Sequence, residues 1–165
     1  MVLVALAGCG GGSSTLPTAT TGQAISVRSS AFPPGGAIPA AFSCDGEAAR
    51  PPALSWSAVP GGTRSIAVVV EDPDADGFVH WLVTGLPPGT TRLDGALPTG
   101  AVESENGYGE RGWAPVCPPE GEGRHRYQFA VYALDAPIDG RADDVLGLIS
   151  EHAIASGKLT GTFSR

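Results

Sequence analysis

The sequence of 165 residues carries little positive charge. Lys158 is its only lysine, lysine and arginine together number 10 against 17 acidic residues, and the formal net charge is −7. No stretch concentrates Lys and Arg, so the basic patch with which proteins hold the backbone of nucleic acids is missing. The same shortage gives little attraction to anionic lipid headgroups. We therefore exclude DNA and RNA as partners, and any membrane attachment needs a cause other than charge.

Long hydrophobic runs and long helical patterns are also scarce. Hydrophobic residues make up 42 % of the chain, which is enough for a core, whereas 24 glycines and 15 prolines favour many tight turns over long helices. A chain of this length is expected to form one domain. The composition therefore predicts a single, mainly β globule.

The chain opens with the apolar run MVLVALAG, followed by Cys9 and the polar stretch GGGSSTLPTATTG. Eight apolar residues are too few to span a bilayer. Small residues before a cysteine resemble a bacterial lipoprotein signal, in which the cysteine thiol takes a diacylglycerol. The resemblance implies a signal with a lipidated Cys9 over 1–9, a flexible tether over 10–22 and an exported domain over 23–165.

Such a protein would lie on the periplasmic or extracytoplasmic face, held to the membrane through the lipid anchor only. Signal peptides open with basic residues, and none precedes Val2, so we expect the true start to lie upstream. The alternative for this run is an ordinary N-terminal strand.

Only three cysteines are present. With Cys9 acylated, Cys44 and Cys117 remain as a pair in an oxidising compartment. The sequence therefore predicts a disulfide between Cys44 and Cys117, with two separate buried thiols as the alternative.

Turn signals rich in Gly and Pro separate the apolar segments, as in an antiparallel β-sandwich. Strands are predicted over 24–29, 53–56, 65–71, 78–85, 125–134 and 159–164. A helix is predicted from Asp143 to Ser156, with Gly157 as its stop. Its apolar stripe includes His152, which we interpret as structural.

The segment DPDADG, from Asp72 to Gly77, has the spacing of a calcium loop. An EF-hand loop also requires a bidentate Glu at its twelfth position and lies between two helices. Val83 occupies that position, and the intervening FVHWL is typical of a buried strand. The calcium hypothesis is therefore excluded, and a polar turn between two strands is the plain alternative.

The chain has three histidines, of which His80 and His125 lie in predicted strands. The strand period of two places His80 on a face with Phe78 and Leu82, and His125 on a face with Tyr127. Burying two unpartnered imidazoles costs on the order of a few kcal/mol, so we expect them to meet a polar group. The alternative is two satisfied core residues. The long stretch 94–123 has no periodic pattern, which is typical of a functional loop, and we expect it to wall a ligand site.

Together these segments resemble the phosphatidylethanolamine-binding protein family, in its bacterial Raf-kinase-inhibitor-like branch. The match runs from about Ile25 to Arg165. It is carried by CDG at 44–46, PPALSW at 51–56, VPGGTRS at 59–65, EDPDA at 71–75, VHW at 79–81, LP at 86–87, CPP at 117–119 and HRY at 125–127.

The resemblance implies a sandwich of two antiparallel sheets with a small anion-binding pocket at one end. Carried over by motif, the pocket uses Asp72, His80, His125 and Tyr127, with the backbone around Pro118 as its rim. Two positions depart from the family pattern. Asp76 stands where Pro is common, and Pro115-Val116 replaces Gly-Pro before the CPP motif, which removes a backbone N–H from the rim.

The leading hypothesis is a lipid-anchored binding module for phosphorylated headgroups or other small anions, with no catalysis and no cofactor. In its mechanism, Asp72 accepts a hydrogen bond from one histidine, and affinity for phosphate esters rises as the pH falls from about 8 towards 6. Two alternatives remain open. One is a protein inhibitor of a kinase or protease, and the other is a zinc-dependent hydrolase using Asp72, His80 and His125.

Overall fold

The computed structural model describes residues 15–20, 23–46 and 50–165. Within these ranges the chain forms eight strands and one α-helix. In chain order they are β1 (Val27–Ser29), β2 (Leu54–Trp56), β3 (Ser65–Asp72), β4 (Phe78–Leu86), β5 (Arg92–Leu93), β6 (Val102–Glu103), β7 (His125–Leu134), α1 (Val145–His152) and β8 (Ala153–Phe163).

The strands form two antiparallel sheets. The smaller sheet has the order β1-β2-β5, and the larger has the order β6-β4-β3-β7-β8. The fold is therefore mainly β with one helix near the C-terminus, as predicted. The bounds of β7 match the prediction, whereas the two-residue strands β5 and β6 were not predicted.

The central strand β3 is buried on both faces. Ile66, Val68 and Val70 point into the core between the sheets. Ala67 and Val69 point to the outer face, which packs against α1. Because both faces are covered, the strand has a continuous apolar sequence rather than an alternating one.

The helix is shorter than predicted. It begins after Asp144, whose Oδ1 accepts a hydrogen bond from Gly147 N at 2.8 Å, and it ends at His152. Strand β8 follows directly from Ala153, so the prediction that the helix extends to Ser156 is wrong. Pairing of β8 with β7 overrides local helix preference here, and Gly157 faces Val131 in that ladder instead of stopping the helix.

His152 lies in the last turn of α1. Its Nδ1 is 2.9 Å from Asp135 Oδ1 at the end of β7. This bond ties the helix to the sheet and fits the structural role predicted for His152.

Residues 15–20, called the N-terminal segment below, run along the outer face of the larger sheet. The hydroxyl of Thr15 donates to Glu71 Oε2 at 2.7 Å, Tyr132 donates to the Pro17 carbonyl at 3.0 Å, and Thr20 N donates to the Ala153 carbonyl at 3.0 Å. Part of the predicted tether is thus hydrogen-bonded to the domain. The predicted signal over 1–9, with Cys9, and residues 10–14 and 21–22 lie outside the described residues.

Among the described residues, no helix has both the length and the apolar character needed to cross a bilayer.

Candidate functional site

Four of the predicted site residues meet at one end of the sandwich. Asp72 ends β3, His80 lies near the start of β4, and His125 and Tyr127 lie at the start of β7. Antiparallel pairing of β3 with both neighbours brings these strand ends together. All four residues are buried, with exposed fractions of 6 % or less. The two histidines keep a small part of their surface accessible.

A β-bulge in β4 sets the direction of the His80 side chain. Val70 pairs with Trp81 and Glu71 pairs with Val79, so His80 is the extra residue between them. A bulge re-aims side chains relative to the alternating pattern. His80 therefore shares a face with Phe78, as predicted, but the prediction that Leu82 lies on that face is wrong. Leu82 packs on the outer face, under α1.

Asp72 is bonded on both of its oxygens. Its Oδ2 lies 2.8 Å from His125 Nδ1, and its Oδ1 accepts a hydrogen bond from Asp74 N at 2.9 Å. Because a carboxylate only accepts, the hydrogen of His125 is on Nδ1. The bond to Asp74 N forms because Asp72 caps the single turn Pro73–Ala75. The predicted hydrogen bond from a histidine to Asp72 is thus present, and the histidine is His125.

The turn that leads from β3 to β4 explains one departure from the family pattern. Asp76 adopts φ 53° and Gly77 adopts φ 75°. Proline is restricted to φ near −65° and cannot occupy the position of Asp76 in this turn, whereas Asp is one of the residues that tolerate left-handed backbone. Asp76 is therefore compatible with this turn, and proline is not.

His80 is held by a backbone carbonyl. Its Nδ1 donates to the Ala114 oxygen at 2.9 Å, which places the unprotonated nitrogen of the neutral ring at Nε2. Burial lowers the pKa of His80 below its usual range, although the Ala114 carbonyl and the charge of Asp72 oppose this shift. His80 is therefore neutral at pH 7. Its ring contacts Tyr127 and Phe78 edge-on, with centroids 5.3 Å and 4.9 Å away.

Tyr127 contacts the ring of His80, and the charge of the nearby Asp72 carboxylate acts on its hydroxyl. Its side chain is fully buried, and its hydroxyl makes no hydrogen bond of acceptable geometry within the described residues. Burial is the main cause that raises the pKa of its phenol, and the nearby Asp72 carboxylate raises it further. The hydroxyl is therefore protonated and available to donate.

Two acidic residues near the cluster were not predicted as site residues. Asp74 forms a bidentate ion pair with Arg126, at 3.0 Å and 2.6 Å, and these bonds lower the pKa of Asp74. Glu122 Oε2 lies 3.9 Å from His125 Nε2. The spacing of three residues between Glu122 and His125 was the available sequence signal for this contact.

The predicted disulfide between Cys44 and Cys117 is confirmed, with the two Cα atoms 5.4 Å apart. It fastens the loop whose Ala114 carbonyl holds His80. The backbone of this loop is used internally, because Ala114 N donates to the His80 carbonyl and Val116 N donates to Phe42. Pro115 has no N–H, so residues 114–116 offer no backbone donor to an anion.

Pro118 is buried and follows Cys117 directly. The aromatic residues Phe78, Tyr108 and Trp113 border the cluster, with Tyr108 66 % exposed. The role of Pro118 as the rim of the site stays a prediction.

A cavity of about 490 Å³ lies elsewhere, on the outer side of β4 beneath the start of α1. It is lined by exposed charged residues and by Leu82 and Ser104, and contains none of the predicted site residues. We place the candidate site at the histidine cluster instead, because buried titratable groups that contact one another mark functional sites better than the volume of an open cleft does.

The described part of the chain contains no group of three or more His, Cys, Asp or Glu side chains arranged to hold a metal ion. Both oxygens of Asp72, the carboxylate that the zinc hypothesis needs as a ligand, already accept hydrogen bonds within the protein, from His125 Nδ1 and from Asp74 N. The arrangement therefore does not favour the zinc hypothesis.

Comparisons with known proteins point to one family. The family model for phosphatidylethanolamine-binding protein matches residues 28–164. A Mycobacterium tuberculosis protein, LppC, named as a candidate lipoprotein, is 38 % identical over 98 % of this chain and 91 % of its own. A UPF0098 protein of Methanothermobacter thermautotrophicus is 39 % identical over 86 % of this chain and 99 % of its own.

Solved structures agree. The crystal structure of Escherichia coli YbcL, described as a member of the mammalian PEBP family, has a TM-score of 0.78 at 33 % identity and covers 86 % of this chain and 98 % of its own. A PEBP homologue from Chlamydia trachomatis, CT736, has a TM-score of 0.76 at 36 % identity, covering 87 % of this chain and 99 % of its own.

Proposed function

Because the chain belongs to the phosphatidylethanolamine-binding protein family, we propose that it binds a phosphorylated lipid headgroup or a similar small anion at the cluster of Asp72, His80, His125 and Tyr127. The observation that carries this proposal is the buried hydroxyl of Tyr127, which lies near Asp72 but makes no hydrogen bond of acceptable geometry within the described residues. An unsatisfied buried donor costs about 1–3 kcal/mol. An oxygen of a bound phosphate would accept its hydrogen bond and remove that cost.

His125 is prepared to donate to the same ligand. Asp72 fixes its Nδ1–H, so the second ring nitrogen, Nε2, faces away from Asp72. A protonated His125 would donate from Nε2 to a phosphate oxygen, and the Asp72 carboxylate would balance its charge. The carboxylate of Asp72 is therefore compatible with an anion site, because it is paired with His125 rather than facing the ligand alone.

His80 contributes through proton uptake. It is neutral in the free protein because burial lowers its pKa. A negative ligand near the ring would stabilise the protonated form, whose Nε2 then becomes a donor. Residues 114–116 offer no backbone donor, so we assign the hydrogen bonds to the side chains of His80, His125 and Tyr127. Pro118 would bound the ligand by shape alone.

A binding role without catalysis fits the absence of an activated nucleophile among the site residues. The cluster contains neither Ser nor free Cys beside its histidines, and the disulfide occupies Cys117. Similarity to carboxypeptidase Y inhibitor, at 18 % identity and a TM-score of 0.53, concerns the fold alone. It does not favour an inhibitor role for this chain.

The proposal includes lipid anchoring at Cys9 on an extracytoplasmic face. It rests on the sequence around Cys9 and on the lipoprotein name of a relative that aligns with 98 % of this chain. Membrane fractionation and mass spectrometry of the expressed protein test it. We expect a diacylated Cys9 in the membrane fraction and a soluble product for Cys9→Ser, whereas a soluble, unmodified native chain would refute the anchor.

Calorimetric titration with glycerophosphoethanolamine tests the binding site. His125→Asn and His80→Asn are each expected to weaken binding about ten- to a hundredfold, the loss of one charged hydrogen bond. His152→Asn is the matched control, because that histidine bonds Asp135 at the opposite end of β7. Affinity unchanged in both site variants would overturn the proposal.

A further inference from the structure

We propose that the N-terminal segment turns the ligand-binding end of the sandwich towards a lipid surface with zwitterionic headgroups. This inference rests on the proposed lipid anchor at Cys9. It adds an orientation that the anchor alone does not provide.

The segment runs the length of the outer face, with its N-terminal end at the ligand-binding end. Thr15 N and its hydroxyl donate to Glu71 Oε2 at 3.0 Å and 2.7 Å, and Glu71 directly precedes Asp72. At the other end, Thr20 bonds the carbonyl of Ala153, where β8 begins. The segment therefore delivers the preceding chain to the end where the histidines lie.

The contacts at Thr15 are strong ones. Glu71 is fully buried, and hydrogen bonds to a buried carboxylate are stronger than those between neutral groups. Thr15 also packs so tightly over Gly77 that a side chain at Gly77 would collide with it. Leu16 and Ala19 pack on the apolar outer face beside α1.

The number of residues between Cys9 and the first fixed residue sets how far the domain can turn relative to the membrane. Six residue steps separate Cys9 from Thr15, so an anchor at Cys9 lies at most about 20 Å from Thr15. Without docking, the first fixed residue would be Ala24, and the reach would grow to about 50 Å. Strand β7, with ten residues, is about 33 Å long. A free tether would thus let either end meet the membrane, whereas the docked segment keeps the opposite end, about 33 Å away, out of reach.

The chemistry of this end suits a zwitterionic surface. Tyr108 is 66 % exposed there and contacts Phe78, and tyrosine is enriched at the interface between lipid and water. Two of its arginines are already paired, Arg126 with Asp74 and Arg165 with Asp45. Arg111 and Arg124 are also exposed at this end, as are Glu120 and Glu122. Among the described residues, these two arginines do not make the cluster of basic side chains that selects anionic lipids.

Hydrogen exchange on vesicles tests the orientation. With Cys44 and Cys117 in the disulfide, Cys9 is the one remaining cysteine, so the full chain can be coupled through it to a maleimide lipid in phosphatidylcholine vesicles. We expect exchange at 104–112 and 118–124 to slow by about threefold or more relative to the uncoupled chain with the same vesicles. Exchange at 57–64 and 135–141, at the opposite end, should not change.

A spacer variant separates orientation from mere proximity. About ten Gly and Ser residues inserted between Gly12 and Ser13 add up to about 35 Å of reach, and we expect them to abolish the slowing at 104–112 while residues 15–20 keep their protection. Slowing at 57–64, equal slowing at both ends or indifference to the spacer would overturn the inference. Because the anchor is chemical, this result is independent of native lipidation and of headgroup binding, which are measured on the native and uncoupled chains.

Discussion

Asp72 and His125 are joined by a hydrogen bond of 2.8 Å between Oδ2 and Nδ1, although 53 residues separate them along the chain. The bond is possible because β3 and β7 are neighbours and both residues lie at the same end of the larger sheet. It leaves the carboxylate without an unpaired oxygen, since Oδ1 accepts from Asp74 N. The hydroxyl of Tyr127 then remains for a ligand, together with Nε2 of His125, which a ligand would share with the exposed Glu122 carboxylate 3.9 Å away.

Removing the hydroxyl of Tyr127 should separate binding from stability. In Tyr127→Phe we expect affinity for glycerophosphoethanolamine to fall about five- to tenfold, the loss of one neutral hydrogen bond. The free energy of unfolding should stay the same or rise by up to about 1 kcal/mol, because a buried unpartnered hydroxyl is removed. Calorimetry and urea unfolding measure the two effects.

Tyr132→Phe is the matched control on the same strand. Its hydroxyl donates to the Pro17 carbonyl on the outer face, so its loss should cost about 0.5–1.5 kcal/mol of stability and leave affinity unchanged. A Tyr127→Phe variant that loses stability but binds normally would contradict the role given to Tyr127.

The affinity for a phosphodiester should rise as the pH falls, and continue to rise below pH 6. The pKa of His80 is lowered by burial in the free protein, so its protonation extends below the usual histidine range near 6.5. A bound anion favours the protonated ring, and binding at pH 7 should therefore take up protons. Calorimetry in buffers of different ionisation enthalpy measures this uptake, with glycerophosphoethanolamine chosen because its phosphate does not titrate in this range.

His80→Asn is the control for this assignment, since its amide can still donate to the Ala114 carbonyl. We expect a smaller proton uptake and a flatter pH profile in this variant. A wild-type profile that is flat from pH 8 to pH 5 would refute the protonation mechanism.

The sequence predicted the fold class, the disulfide and the bounds of β7 because each rests on local signals or on a specific motif. It did not predict that Leu82 faces away from His80. That reversal comes from a bulge, and a bulge depends on how β4 pairs with β3 rather than on the sequence of β4 alone. Likewise, β8 begins at Ala153 because β7 offers it a partner, although the residues up to Ser156 fit a helical pattern.

Some contacts of the candidate site were not predicted for a related reason. Side chains such as those of Asp72 and His125 leave a signal in the sequence, whereas the partner of His80 is the backbone carbonyl of Ala114. Any residue at that position could supply the same oxygen. The docking of residues 15–20 was not predicted either. Thr and Pro in a polar stretch are typical of a flexible tether, and the sequence does not show which parts of the sheet they contact.

The unfolding free energy should fall on acidification because of His80. The unfolded ring has its usual pKa near 6.5, and the folded pKa is lower. The unfolded state therefore binds more protons, so the contribution is complete above pH 6.5 and is lost as the pH falls below it, by at most about 1.4 kcal/mol per pH unit. Urea unfolding at pH 7.5 and pH 5.5 should show a smaller difference for His80→Asn than for the wild type. Equal differences would show that His80 does not titrate as assigned.

The disulfide should stabilise both the fold and the site. Cys44→Ser combined with Cys117→Ser is expected to lower the free energy of unfolding by about 2–4 kcal/mol, because the unfolded chain loses a long closed loop. Affinity for glycerophosphoethanolamine should fall as well, since the freed loop no longer fixes the Ala114 carbonyl against His80. Cys9→Ser is the control and should change neither quantity in the unlipidated chain. In the unlipidated wild-type chain, thiol titration of the unfolded, unreduced protein should detect one group, that of Cys9. Detection of three groups would show that Cys44 and Cys117 are not bonded in solution.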